Sequence, residues 1–513
     1  MAYSAALMQD SLPQAKTFDR DLLLLVALAT AKLIFHVLTN GQYGFHRDEL
    51  ATLDDARRLA WGYVAYPPLT PLLGRIELEL FGTSLAGFRF FAALAQSVAM
   101  VVTGLMARRL GGGRAAMLVS AFAAMLAPIS LSASSMFQYV SFDFLWFVLL
   151  SYFVIRLIDS NDSRWWLGIG AAIGLGVLTK YAVAFYVAGV VAGVLLTPLR
   201  VQLRDKWLWI GAALSIAIAL PNLVWQMQHD FITLDFLNFI HARDVRIGRT
   251  DSYWLDQLKV STNFFLFPLA ILGLYVLFFT ERLRRYRILG WMAVVPLILF
   301  ALAKGRGYYT GPLYPMLLAA GAADLQRRLD SVRPVPRRIG WGVVALLLIA
   351  GTIAVPIVLP LVPVNSRYWT FVNDRNGDLR EEIGWPELTR EVARIWNGID
   401  PAERSQAGIF CGNYGEAGAI NLYGPAYGLP PVISGINSYW LRGPGNPAPK
   451  TVLVVGSDRQ GVEEACTSVQ LAGHITNAAG VSNEETERHP DIFICRGLRQ
   501  PLEKMWPKLR SFG

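Results

Sequence analysis

The stretch GFHRDELATLDDARRLAWGYVAYPPLTP (Gly44–Pro71) follows an apolar run that ends near Leu38. It sets Arg47, Asp48 and Glu49 side by side where a chain would leave a bilayer. From Asp48 to Leu59 the pattern suits a helix lying on a membrane surface. Leu50, Leu53, Leu59 and Trp61 supply apolar contact, and Asp54, Asp55, Arg57 and Arg58 supply a wet side. Tyr66-Pro67-Pro68 then imposes an extended backbone and stops that helix. The loop is built rather than slack, and its start is pinned to the end of a membrane span.

Composition agrees with a membrane setting. Of 513 residues, 54% are hydrophobic and 17% charged, against about 25% charged in a soluble chain. Mean hydropathy is +0.38. Apolar runs that could cross a bilayer are expected at about 21–39, 86–107, 115–133, 138–158, 164–179, 181–199, 207–226, 260–280, 288–303, 308–325 and 339–361. The net charge of +9 is concentrated in short loops between these runs. That is a positive-inside bias toward anionic lipids, and it argues against a nucleic-acid partner. Lys16 and Arg20, then Arg108, Arg109 and Arg114, then Arg282, Arg284, Arg285 and Arg287 fall on alternate sides from the sparser long loops, about 40–85 and 227–259. The N-terminus is therefore expected inside and the C-terminus outside. Met1–Arg20 shows no cleavable leader pattern, so the first run is read as a signal anchor.

The chain divides into a membrane domain, 1–361, and an extracytoplasmic α/β domain, 362–513. The second part holds strand-like runs at 450–457 and 491–497 and a helical segment at 385–396. Its three cysteines, Cys411, Cys466 and Cys495, admit a Cys466–Cys495 bridge in an oxidising compartment, or unpaired buried thiols.

A resemblance rests on several motifs together. FHRDEL after the first run and WGYVAYPPLTPLL beyond it resemble the first outer loop of bacterial GT-C glycosyltransferases, the superfamily of dolichyl-phosphate-mannose–protein mannosyltransferases and aminoarabinose transferases. MFQYVSFDFLWF (136–147), GLGVLTKYAVAF (174–185) and KGRGYYTGPLYPMLLAAGA (304–322) continue the likeness. GNYGEAGAINLYG (412–424) and PVISGINSYWLRGPG (431–445) resemble a bacterial subgroup. The resemblance implies a polytopic α-helical GT-C fold with about eleven spans, at the inner (plasma) membrane. It implies transfer of a sugar from a polyprenyl-phosphate donor to an envelope glycan, lipid or protein. Asp48 would be the catalytic base. Two departures stand at Tyr66, where related sequences carry His before Pro-Pro or a Glu-Lys pair.

Such chemistry needs one base, cations for the phosphate and a cavity at the membrane boundary. Neighbours on a helix point about 100° apart, so Asp48 and Glu49 should differ in role. Glu49 is expected to orient a neighbour, a metal or the acceptor, and Asp143 is the second candidate carboxylate. The bland readings are an N-cap for Asp48 and a dipole partner for Glu49. Lys180 is the leading phosphate ligand, with Arg243, Arg246, Lys304 and Arg306 beside it or merely at headgroups. Tyr66, Tyr308 and Tyr309 would line the cavity, the last two otherwise joining an aromatic belt. A divalent metal on Asp48, Glu49, His229 and His241 is conceivable, although no zinc spacing occurs. Lys32 is expected to pair within the bundle. The competing class is a transporter or flippase of a lipid-linked saccharide, which calls for ionisable groups near the midplane.

Overall fold

The computed structural model describes residues 12–445 and 448–513. Residues 1–11, part of the stretch read as lacking a leader pattern, lie outside the described residues, as does the side chain of Lys16.

A helix lies at each expected run, although Trp165–Val177 and Phe267–Phe279 are short, and at 308–325 a 3-10 turn leads into Tyr314–Asp330, whose last turns are charged. Among the described residues six are long and apolar enough to cross alone: Arg20–Thr39, Phe90–Arg109, Tyr139–Ser160, Lys206–Gln228, Glu281–Leu302 and Pro334–Val358. Burial sorts them. Phe90–Arg109 is 67% buried and Tyr139–Ser160 61%, so they are central, whereas Lys206–Gln228 (11%) and Pro334–Val358 (6%) face outward. Two expected straight runs are broken. Arg114–Met125 and Pro128–Ser135 meet at 65°, and Val183–Leu196 meets Pro198–Arg204 at 101°. In both, proline opens the second piece. Its missing N–H and its ring forbid continuation of the preceding helix. Backbones approach closely where side chains are absent: a Cβ on Gly170 would lie 2.0 Å from the Gly211 carbonyl oxygen. This small-residue contact joins Trp165–Val177 to Lys206–Gln228.

The tail carries a four-stranded sheet: β1 Ala407–Cys411, β2 Thr451–Val455, β3 Cys466–His474 and β4 Asp491–Leu498. Their order is β1-β2-β4-β3, with β1 parallel to β2 and the other pairs antiparallel. The helix Trp385–Gly398 packs through Trp385, Leu388 and Val392, all buried. Cys466 and Cys495 are bonded, their Cα atoms 5.7 Å apart, and Cys411 is a buried free thiol.

The helix of the first loop offers neither Leu50 and Leu53 to a membrane nor Asp54 and Asp55 to water. It spans Arg47–Ala56, capped by His46, two residues earlier than the N-cap reading of Asp48. Leu50 and Leu53 are fully buried, and so, within a few per cent, are Asp54 and Asp55. Arg58, Leu59 and Trp61 are the exposed ones. Phe45, Leu50 and Leu53 share one core with Phe88, Phe137 and Phe142 below and with Trp385, Leu388 and Ile420 of the tail above. Each such buried side chain contributes roughly 1.5–3 kcal/mol. Pro68 does not merely extend the chain either. It caps a second helix, Leu69–Phe81.

Candidate active site

Asp48 sits in the first turn of the loop helix. The His46 side chain caps that helix, its Nδ1 accepting from the Asp48 backbone N–H at 3.2 Å. The Glu49 carboxylate reaches back to the His46 N–H at 2.8 Å. This reciprocal box satisfies donors that a helix start otherwise leaves free. The two acids then part, as adjacent helical positions must.

Glu49 points inward and is fully buried. It accepts from Arg89 Nε at 2.8 Å, from Arg89 Nη2 at 2.6 Å and from the Phe137 N–H at 2.7 Å. Arg89 also donates to the carbonyls of Asn40 and Gly44. The neighbour that Glu49 orients is thus Arg89, and together they fix the loop on the bundle. Glu382 of the tail lies 3.4 Å from Arg89. Burial pushes its carboxyl up to about 7, with Arg89 pulling the other way.

Asp48 points outward, its side chain 42% exposed. Its Oδ2 accepts from Gln138 Nε2 at 2.7 Å, and its Oδ1 accepts from the Tyr414 hydroxyl at 2.8 Å. Gln138 immediately precedes the central helix Tyr139–Ser160. Tyr139, next to Gln138 in sequence, turns its ring toward the basic side of the site, 4.9 Å from Lys180 Nζ.

On that side Lys180, in the turn after Trp165–Val177, is enclosed by aromatic rings. Its Nζ is 3.8 Å from the Tyr309 ring centre, 4.9 Å from Tyr139 and 5.3 Å from Tyr308. Ring faces attract a cation and order it without neutralising it. Asp143 lies one turn along the same helix from Tyr139 and is only 4% exposed. Ser141 does not bind Asp143, since its hydroxyl donates to the Ala133 carbonyl at 2.7 Å. Arg306 donates to Asp244 Oδ2 at 2.6 Å, and Arg243 lies 3.6 Å from Asp244 Oδ1. Lys180, Arg306, Tyr308 and Tyr309 therefore gather in one place, with Arg243 behind them. Arg246 and Lys304 are exposed and stand outside this cluster.

Three further expectations change. The Tyr66 hydroxyl is committed to Asp55 Oδ2 at 2.6 Å, while its ring stays 6.5 Å from Tyr139. His229 is committed to Trp225, stacked at 4.0 Å and bonded to its carbonyl at 2.8 Å. With Glu49 spent on Arg89, the suggested metal set of Asp48, Glu49, His229 and His241 is not assembled. Among the described residues no group of three such donors converges elsewhere. Lys32 is buried and donates weakly to Ser130 Oγ at 3.5 Å rather than pairing with an acid.

The tail holds the loop helix along its length. Arg47 pairs with Glu484 and Glu485. Gly418 packs against Leu50, where a Cβ would come within 2.7 Å of the Leu50 backbone. Arg442 pairs with Asp54 and meets Asp55 at 2.6 Å. Arg57 donates to the Asn421 carbonyl at 3.0 Å. Burial pushes the Asp55 carboxyl up to about 6, against the pull of Arg442 and Tyr66. Tyr414 and Arg442 escaped the sequence reading as site residues, although both stand in glycine-rich tail motifs that it had marked out.

The chain is similar to known proteins in sequence and in fold. The sequence pattern of the dolichyl-phosphate-mannose-protein mannosyltransferase family matches residues 65–225. That stretch takes in Asp143 and Lys180 but starts beyond Asp48. Lipid A galacturonosyltransferase RgtD of Rhizobium johnstonii is 29% identical over 240 residues, which are 44% of this chain and 47% of that protein. The match thus spans about half the length of this relative. The crystal structure of ArnT from Cupriavidus metallidurans bound to undecaprenyl phosphate superposes with a TM-score of 0.57 at 16% identity, covering 92% of this chain and 97% of the other. The apo form of the same protein gives 0.53 with the same coverage. The chain has the GT-C fold, and it is similar in sequence to membrane glycosyltransferases.

Proposed function

We propose that this chain is an inner-membrane glycosyltransferase. It moves a sugar from a polyprenyl-phosphate donor to a hydroxyl of an envelope glycolipid. The observation that carries this reading is a half-exposed carboxylate held by Gln138, whose neighbour in sequence, Tyr139, places its ring 4.9 Å from the tyrosine-lined ammonium of Lys180. The membrane part ends near residue 361, and the loop and tail lie on the extracytoplasmic side. The Cys466–Cys495 bond favours that side, since such bonds persist in oxidising compartments.

In this reading the donor tail lies along the apolar helices and its phosphate meets Lys180 and Arg306. The acceptor oxygen attacks the anomeric carbon as the carbon–phosphate-oxygen bond breaks. Asp48 takes the hydroxyl proton, and the lipid phosphate departs with the bonding pair. The leaving group is already an anion, so one base suffices and configuration inverts. The name of the bacterial relative favours a glycolipid acceptor and an acidic sugar.

The test uses purified full chain with undecaprenyl-phosphate-linked galacturonic acid and lipid A, following release of undecaprenyl phosphate. Asp48→Asn should lower turnover by about 10²–10⁴-fold, the usual worth of a general base, with unchanged thermal unfolding. Wild-type turnover in that variant would remove Asp48 from the role.

A further inference from the structure

The tail reaches the proposed base directly. Tyr414 donates its hydroxyl proton to Asp48 Oδ1 across 366 positions of sequence. Gln138, from the membrane bundle, donates to the other oxygen. A carboxylate has about four acceptor positions, so two donors leave room for an incoming hydroxyl. They also remove rotation about the last side-chain bond, which is otherwise broad in aspartate.

The tyrosine is itself held. Asn413 caps its helix by accepting from the Gly415 N–H at 2.8 Å. The Arg47 guanidinium lies 5.6 Å from the Tyr414 ring centre, and Arg47 is tied to Glu484 and Glu485. Gly415 permits this approach, since a Cβ there would lie 2.7 Å from Trp385 and 3.0 Å from the Arg47 Cβ. Packing alone would need only a ring. The hydroxyl is aimed at a half-exposed carboxylate that water could otherwise satisfy.

We propose that Tyr414 is a positioning residue by which the tail aims the Asp48 carboxylate at the acceptor hydroxyl. This rests on Asp48 being the base as proposed above. Misalignment of a reacting group by about 1 Å can cost 10²-fold in rate.

The experiment is a double-mutant cycle on the full chain with Asp48→Asn and Tyr414→Phe, the latter keeping the ring and its packing. With the same donor and acceptor, Tyr414→Phe should lower kcat by about 10- to 100-fold. The donor KM should stay within about twofold, and in the Asp48→Asn background the same change should alter the residual rate by less than about twofold. Wild-type kcat in Tyr414→Phe, or an equal loss in both backgrounds, overturns the proposal. Wild-type turnover in Asp48→Asn alone overturns the base assignment and this inference with it. A readout free of substrate is the Asp48 carboxylate stretch, isolated as the infrared difference between wild type and Asp48→Asn. That band should shift in Tyr414→Phe, and an unmoved band also overturns the proposal.

Discussion

Glu49 and Arg89 clasp each other at two points, 2.8 and 2.6 Å, with both side chains fully buried. Removing one partner of such a pair strands a charge in a dry interior, which costs about 3–5 kcal/mol. Glu49→Ala should therefore lower unfolding stability by about that amount. It would leave the Phe137 and His46 N–H groups without their acceptor as well. Thermal unfolding in detergent measures this. Full stability combined with lost turnover would instead return Glu49 to the reaction.

Lys180 offers a different test, because three tyrosine rings order its ammonium without cancelling its charge. A charge-assisted hydrogen bond to phosphate is worth about 1.5–3 kcal/mol. Lys180→Ala should weaken binding of undecaprenyl phosphate by about 10- to 100-fold. Titration of the lipid phosphate into the purified protein decides it. Unchanged affinity would make Lys180 an aromatic-belt lysine.

Asp55 predicts a pH effect. Burial raises its carboxyl from the ordinary 3.8 to about 6. A raised carboxyl binds its proton more readily in the folded protein than in the unfolded chain. Its contribution to stability is therefore complete below the unfolded value and is lost as pH rises through about 6. Comparing unfolding at pH 5 and pH 7 should show a slope that Asp55→Asn reduces. An identical slope in that variant would count against this origin.

The Cys466–Cys495 bond closes a loop of 29 positions between β3 and β4. By loop-closure entropy it is worth about 3–4 kcal/mol to the tail. Protein made in cells should show the bond by mass spectrometry without reductant. Cys466→Ser/Cys495→Ser should make the tail easier to cleave with protease. Equal protease resistance would mean that sheet packing alone holds that edge.

The legible parts of the sequence were those with a repeating physical demand. Lipid crossing demands long apolar runs, and a helix stands at each. β2 and β4 were visible as unbroken apolar stretches. β1 (AGIFC) opens on Ala-Gly and so lacks the Val-rich run of β2, and β3 is an edge strand with mostly exposed positions, so neither carried a pattern. Periodicity gave the loop helix but assigned it one partner, the membrane. It missed the second because Arg442 lies 387 positions beyond Asp55, and Asn421 lies 364 beyond Arg57. Helical geometry did forecast that Asp48 and Glu49 would diverge. It could not name Arg89, one arginine among many with no local mark.

The grip of the tail on the loop also imposes an order of assembly. Asp48 leaves the ribosome early, whereas Tyr414 follows 366 residues later, a delay of roughly 20–70 s at typical synthesis rates. Until the tail has folded, Leu50 and Leu53 lack their upper cover and the carboxylate lacks one of its two donors. A nascent or prematurely ended chain would therefore be inserted yet idle, and release of activity would coincide with completion of translation.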